Sequence, residues 1–212
     1  MLETLIRPEA AIAILLGYLL GSIPFGLVLT RLAGLGDIRN VGSGNIGATN
    51  VLRTGNKPLA LATLLLDGGK GAAAALIAMA VAPELAPWAA LAAVLGHLFP
   101  VWLKFNGGKG VATTLGAYFA LSWPVGLAAG LTWLAVALAL RFSSLAGMLC
   151  VGLAPVYAWY LAGPDVAVVA AILAMLVIYR HKTNIRRLLR GEEPRIGAKK
   201  KDSRTAPQTS DR

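Results

Sequence analysis

Three short stretches of the chain carry residue types at spacings that can do chemistry. The first is Gly42-Ser43-Gly44-Asn45-Ile46-Gly47-Ala48-Thr49-Asn50-Val51-Leu52-Arg53. Glycines at 42, 44 and 47 permit backbone conformations that aim several N–H groups at one point, and such nests bind anions. Ser43, Asn45, Thr49 and Asn50 add neutral donors, and Arg53 adds a fixed charge suited to phosphate or carboxylate. The second stretch, Asn106-Gly107-Gly108-Lys109-Gly110-Val111-Ala112-Thr113-Thr114, leads into an apolar run. A helix starting there would point its positive end at the loop, which favours phosphate. The G-x-x-x-x-G-K-[ST] spacing is absent, so nucleotide hydrolysis is not supported. The third is His181-Lys182-Thr183-Asn184, where His181 and Asn184 share one face of a helix and His181 is a candidate base or ligand.

Other polar residues have two readings each. Ser143 and Ser144, after Arg141, either offer hydroxyl donors to the same pocket or cap the next helix. Glu192 and Glu193 follow Gly191 and either orient arginines of neighbouring loops or lie in solvent. Asp67 and Lys70, in Asp67-Gly68-Gly69-Lys70-Gly71, fall inside an apolar run and share a helix face, as structural glue or as part of a pathway. His97 reads as a helix-packing histidine. With two histidines, no cysteine cluster and no carboxylate expected near either, no metal site is expected. The single cysteine, Cys150, lies in an apolar run as lipid-facing or core filler.

The elements that must position these residues are membrane helices. With 57% hydrophobic and 14% charged residues over 212, the chain is too apolar for a soluble domain of its length. Apolar segments run over 10–29, 59–82, 88–103, 111–140, 145–161 and 166–179. The fourth has Ser122-Trp123-Pro124 near its middle, and reading it as two helices puts Arg31, Arg39, Arg53, Lys57, Lys104, Lys109, Arg141 and the basic tail on one side. Only Arg7 is left on the other. The expectation is an all-α polytopic membrane protein with seven transmembrane helices, its N-terminus outside and its C-terminus cytoplasmic. All three polar stretches then meet at the cytoplasmic face. Residues 1–197 read as one integral membrane domain and 198–212 as a disordered basic tail suited to an anionic inner membrane face.

Two anion cradles and several cations at a membrane face suit a transferase that joins a soluble phosphate to a lipidic donor. The rival class is an organic-phosphate transporter, motivated by Asp67, Lys70 and the glycine- and proline-rich helices. The 42–53 stretch, Gly96-His97 with Phe99-Pro100 and 106–113, and His181 with Asn184-Ile185 and Gly191 to Glu193 closely resemble the three motifs of the bacterial acyl-phosphate glycerol-3-phosphate acyltransferases, the PlsY family. The resemblance implies transfer of a fatty acyl group from acyl phosphate to the sn-1 hydroxyl of glycerol 3-phosphate, giving lysophosphatidic acid and phosphate, without a cofactor. It implies a multi-pass enzyme of the bacterial inner membrane, functional as a monomer, with membrane lipid and no nucleic acid as partner. Ser43, Arg53, Lys109, His181 and Asn184 are the residues expected to carry catalysis. Gly42, Gly44, Asn45, Gly47, Thr49, Asn50, Gly107, Gly108, Gly110, Thr113, Ser144 and Glu193 are assigned to substrate binding. The His-x-x-x-x-Asp signature of acyl-CoA and acyl-carrier-protein enzymes is absent, since Trp102 stands five positions after His97 and Arg186 five after His181.

Overall fold

The computed structural model describes residues 6–197, so the expected tail at 198–212 lies outside the described residues. Ten α-helices run through them: α1 (Pro8–Gly21), α2 (Phe25–Leu32), α3 (Ala48–Val51), α4 (Lys57–Val81), α5 (Ala86–Leu98), α6 (Val111–Leu121), α7 (Trp123–Leu140), α8 (Ser143–Leu161), α9 (Pro164–Arg180) and α10 (Lys182–Leu189). The protein is all-helical over these residues. Its outer shell is apolar, with Leu65, Leu138 and Met175 each more than 60% exposed, as a surface solvated by lipid requires.

Five stretches are long and apolar enough to cross a membrane: the broken pair α1–α2, α4, α5 with its flanking turns, α7 and α8. A sixth is α9 with α10, bent by 61° at His181. The 111–140 run does divide at Ser122, as its Ser-Trp-Pro sequence suggests. Ser122 is extended, and Gly126 packs directly on the Phe119 backbone, where a continuous helix would hold them about 10 Å apart. The chain therefore doubles back. The first half, α6, has 11 residues and a rise of only about 16 Å, short of a full crossing.

Small residues set the helix spacing. Gly21 packs on the Ala93 carbonyl and Gly96 on that of Tyr18, which draws α1 against α5. Gly71 packs on the Thr113 carbonyl and Gly116 on that of Gly68, which draws α4 against α6. The Gly68-Gly69-Lys70-Gly71 sequence is thus a helix-packing surface, not a loop. A second core, from Val94 and Leu98 through Tyr118 and Val151 to Leu173 and Val177, binds α5, α6, α8 and α9. Cys150 fills that core with its thiol donating to Gly147 O, which settles the choice between core and lipid.

The chain breaks between α1 and α2 at Pro24, which has no N–H to continue the helix. The carbonyls freed there find distant donors: Trp102 Nε1 reaches Ser22 O and Lys70 Nζ reaches Ile23 O, each at 2.7 Å. Arg7 pairs with Glu84 at the opposite end of α4 from the glycine-rich stretches.

Candidate active site

The 42–53 stretch folds around one side chain, that of Asn50, which is 1% exposed. Its Nδ2 donates to the carbonyls of Ile38, Val41 and Asn45, while its Oδ1 accepts from Ser43 N at 3.1 Å, from Ser43 Oγ and from the Arg53 guanidinium. Asn50 therefore shapes the loop and holds Ser43 and Arg53 toward a common point. Gly42 passes over this hub at φ +56°, and a β-carbon there would lie 2.5 Å from Asn50 Oδ1. Only glycine fits. Arg31 and Arg39 are taken up by Asp37 at 2.9 and 2.6 Å, whereas Arg53 has no ion pair among the described residues. Its charge is available to a ligand.

The 106–114 stretch divides into two functions. Gly107 N–H and Gly108 N–H donate to the carbonyls of Leu98 and His97, and Arg180 donates back to the carbonyls of Gly107 (2.8 Å) and Gly108 (3.2 Å). The expectation that these two glycines cradle phosphate through their N–H groups is corrected: the turn packs so closely on α5 that those donors are already bonded. Gly108 also lies directly against His97 Nε2. Lys109, Gly110, Val111 and Ala112 do face the cavity, with the positive end of α6 behind them. Thr113 turns its fully buried side chain away into the α4–α6 contact.

The third group is assembled by Glu193. Its Oε1 accepts from Ser144 Oγ at the start of α8 and from Asn184 Nδ2 on α10, both at 2.6 Å, and its Oε2 accepts from Arg187 Nε at 2.6 Å. Hydrogen bonds from Ser144, Arg187 and Asn184 hold its carboxyl below the ordinary glutamate range, against the opposing effect of burial. His181 sits in the turn between α9 and α10, 2% exposed, with Nδ1 2.7 Å from Val177 O. A carbonyl accepts, so Nδ1 carries the proton and Nε2 the lone pair.

These groups line one cavity of about 240 Å³. From the first loop it takes Ser43, Asn45, Gly47, Thr49, Asn50 and Arg53; from the second, Lys109 and Gly110; and from the third, Ser144, His181, Asn184 and Glu193. Gly42, Gly44, Gly107, Gly108 and Thr113 lie outside the lining. Leu64, Leu115 and Trp133 from α4, α6 and α7 form an apolar wall. Burial, reinforced by the nearby Arg187, Arg53 and Arg180, pushes the Lys109 ammonium down to about 8, with Glu193 pulling the other way.

Sequence reasoning missed several lining residues. Arg187 carried only the signal of lying three residues after Asn184. Asp67 and His97, 30 positions apart, also reach the cavity, and Asp67 Oδ1 stands 3.6 Å from His97 Nδ1. The expectation that neither histidine has a carboxylate near it is therefore corrected. It took the pairing of α4 with α5 to reveal the contact. Among the described residues, no group of three His, Cys, Asp or Glu is arranged to hold a metal ion.

The sequence model of the family described as glycerol-3-phosphate acyltransferase matches residues 11–191. A glycerol-3-phosphate acyltransferase of Paramagnetospirillum magneticum is 64% identical over 91% of this chain and 96% of its own length. One from Rhodospirillum rubrum is 65% identical over 88% of this chain and 91% of its own. The crystal structure of PlsY, an integral membrane glycerol 3-phosphate acyltransferase in its glycerol 3-phosphate form, superposes with a TM-score of 0.85 at 44% identity, covering 89% of this chain and 96% of that one. Its lysophosphatidic acid form superposes with a TM-score of 0.83 at 41% identity, over the same shares. A helical membrane bundle whose donor-rich loops close on one cavity, and these matches along nearly its whole described length, establish that the chain belongs to the glycerol-3-phosphate acyltransferase family.

Proposed function

We propose that this integral membrane glycerol-3-phosphate acyltransferase takes its acyl group from acyl phosphate and delivers it to the sn-1 hydroxyl of glycerol 3-phosphate. One observation carries the reading: cations and neutral donors for two phosphate groups share a cavity with an apolar wall of Leu64, Leu115 and Trp133. The soluble substrate needs the first, and an acyl chain needs the second.

The hydroxyl oxygen attacks the acyl carbonyl carbon, the carbon–oxygen bond to the donor phosphate breaks, and inorganic phosphate leaves with lysophosphatidic acid as the other product. No acyl-enzyme is required. Arg53, Lys109 and Ser43 bind the phosphates and stabilise the charge that develops on the leaving group. Asn184 and His181 hold glycerol 3-phosphate, with His181 Nε2 accepting a hydrogen bond from the attacking hydroxyl. The proton passes to a phosphate oxygen. A phosphate oxygen, with a second pKa of about 6, is a competent base at neutral pH. Asn50, Ser144 and Glu193 keep these groups in register.

The same reading gives seven crossings, the one through the short α6 completed by the turn that leads into it, with the N-terminus outside and the cavity opening to the cytoplasm across a bacterial inner membrane, in a functional monomer. The decisive assay supplies purified protein with palmitoyl phosphate, with and without glycerol 3-phosphate, beside Arg53→Ala and beside palmitoyl-CoA as donor. Phosphate release coupled to lysophosphatidic acid, confined to palmitoyl phosphate and lost in Arg53→Ala, is the expected result. No transfer from folded protein would sink the reading.

A further inference from the structure

Beside the cavity, with Asp67 in its lining, lie charged groups that the chemistry above does not use. Asp67 and Lys70 are buried inside the bundle at 2% and 3% exposure and form an ion pair at 2.7 Å within α4. An ion pair so deep in an apolar bundle is costly to desolvate, and packed apolar side chains would serve stability as well or better. Its contacts suggest another purpose. Lys70 Nζ continues to Ile23 O in the break between α1 and α2, with the Phe25 ring 5.6 Å beneath it. Helix α2 packs in turn on the first loop, since Gly26 lies directly against the Ile46 carbonyl. In the other direction, Asp67 faces His97, whose ring bears on Gly108 and whose carbonyl accepts Gly108 N–H at 3.0 Å. Gly108 immediately precedes Lys109. A continuous path therefore joins the loop holding Arg53 to the turn holding Lys109, and Asp67 is its midpoint.

We propose that Asp67 is a positioning residue which, through Lys70 on one side and His97 on the other, fixes the Gly42–Arg53 loop and the Gly107–Lys109 turn at one separation. The inference rests on the reading of both loops as phosphate-binding. It separates two demands that one side chain cannot meet. Arg53 and Lys109 must approach the same substrates, yet they repel each other, so their separation has to be imposed from beneath. A buried ion pair, with the directional bond to Ile23 O, sets that separation more sharply than aliphatic packing, which tolerates repacking.

The test uses the full chain in detergent and reads glycerol 3-phosphate affinity from the ligand-dependent rise in unfolding temperature. Asp67→Asn alone strands the Lys70 charge and risks unfolding, so the main variant is the paired Asp67→Asn/Lys70→Met, which leaves no lone buried charge. His97→Gln is the second variant, because it removes the ring beneath Gly108 and keeps the ion pair. Each is expected to fold and to weaken glycerol 3-phosphate binding roughly tenfold. In a Lys109→Ala background His97→Gln, which acts only on the Lys109 turn, is expected to add less than about twofold, because residues that act through one group couple instead of adding, and the paired variant is expected to keep only the part of its effect carried by the Arg53 loop. If the paired variant does not fold, His97→Gln decides. Unchanged affinity in a folded variant, or the full tenfold loss again on top of Lys109→Ala, would overturn the proposal; a merely structural role would give that additive pattern. Wild-type protein stabilised by glycerol 3-phosphate but releasing no phosphate from palmitoyl phosphate would sink the acyl-phosphate reading alone, since the affinity measurement uses no donor.

Discussion

The Nδ1–H of His181 donates to the carbonyl oxygen of Val177, 2.7 Å away and one turn back on α9. The bond fixes the tautomer and leaves the lone pair on Nε2.

His181→Asn keeps a donor where Nδ1 stood and removes Nε2. The expected outcome is a 10- to 100-fold fall in kcat/KM for glycerol 3-phosphate, the size of one lost hydrogen bond to a reacting or charged group. Because the phosphate is assigned the proton, the acid limb of the pH–rate profile is expected near pH 6 in both proteins. Loss of that limb in the variant would return the base role to His181.

Lys109 sets the opposite limb. With its ammonium lowered to about 8, the cation is present at pH 7 and is lost as pH rises through 8, and phosphate binding falls with it. Initial rates are therefore expected to decline above about pH 8. Lys109→Arg moves that decline to higher pH, because guanidinium stays charged. An alkaline limb unmoved by Lys109→Arg would remove Lys109 from phosphate binding.

Arg53 and Asn50 separate charge from architecture. Arg53→Lys retains the charge but not the fork and is expected to lower kcat/KM by about 10- to 100-fold with no change in unfolding temperature. Asn50→Asp turns a donor into an acceptor facing the carbonyls of Ile38, Val41 and Asn45. It is expected to cost about 3 kcal/mol, visible as lower thermal stability, before any effect on rate is measured.

Glu193 predicts a stability profile. Its pKa is lower in the folded protein than in the unfolded chain, so its contribution is present above the ordinary glutamate range and is lost as pH falls through the folded value. Unfolding temperature is expected to drop below about pH 4.5 in the wild type, and this drop is expected to flatten in Glu193→Gln. Equal acid sensitivity in both would detach Glu193 from the Ser144–Asn184–Arg187 cluster.

What could be read in the sequence was local. Glycine, asparagine and serine crowded between apolar runs mark the first loop, and Ser122-Trp123-Pro124 marks the reversal before α7. What could not be read depends on pairing across the bundle. Nothing in the chain places Asp67 beside His97, because that contact follows from α4 packing on α5. The two glycines of the second loop read as anion donors because glycine permits a phosphate nest and close backbone packing equally well. The hydrogen bonds to His97 and Leu98 decide for packing.

The brevity of α6 bears on where the substrates meet. If Ser122 lies at one interface, a rise of about 16 Å carries the helix start, and Lys109 with it, roughly halfway into a hydrocarbon layer about 30 Å thick. On the acyl-phosphate reading proposed above, the water-soluble partner then descends into a recess, while the fatty partner stays at its own depth and arrives sideways between helices. Encounter with the second substrate becomes a search in two dimensions, governed by its density in the leaflet and not by its scant solubility in water.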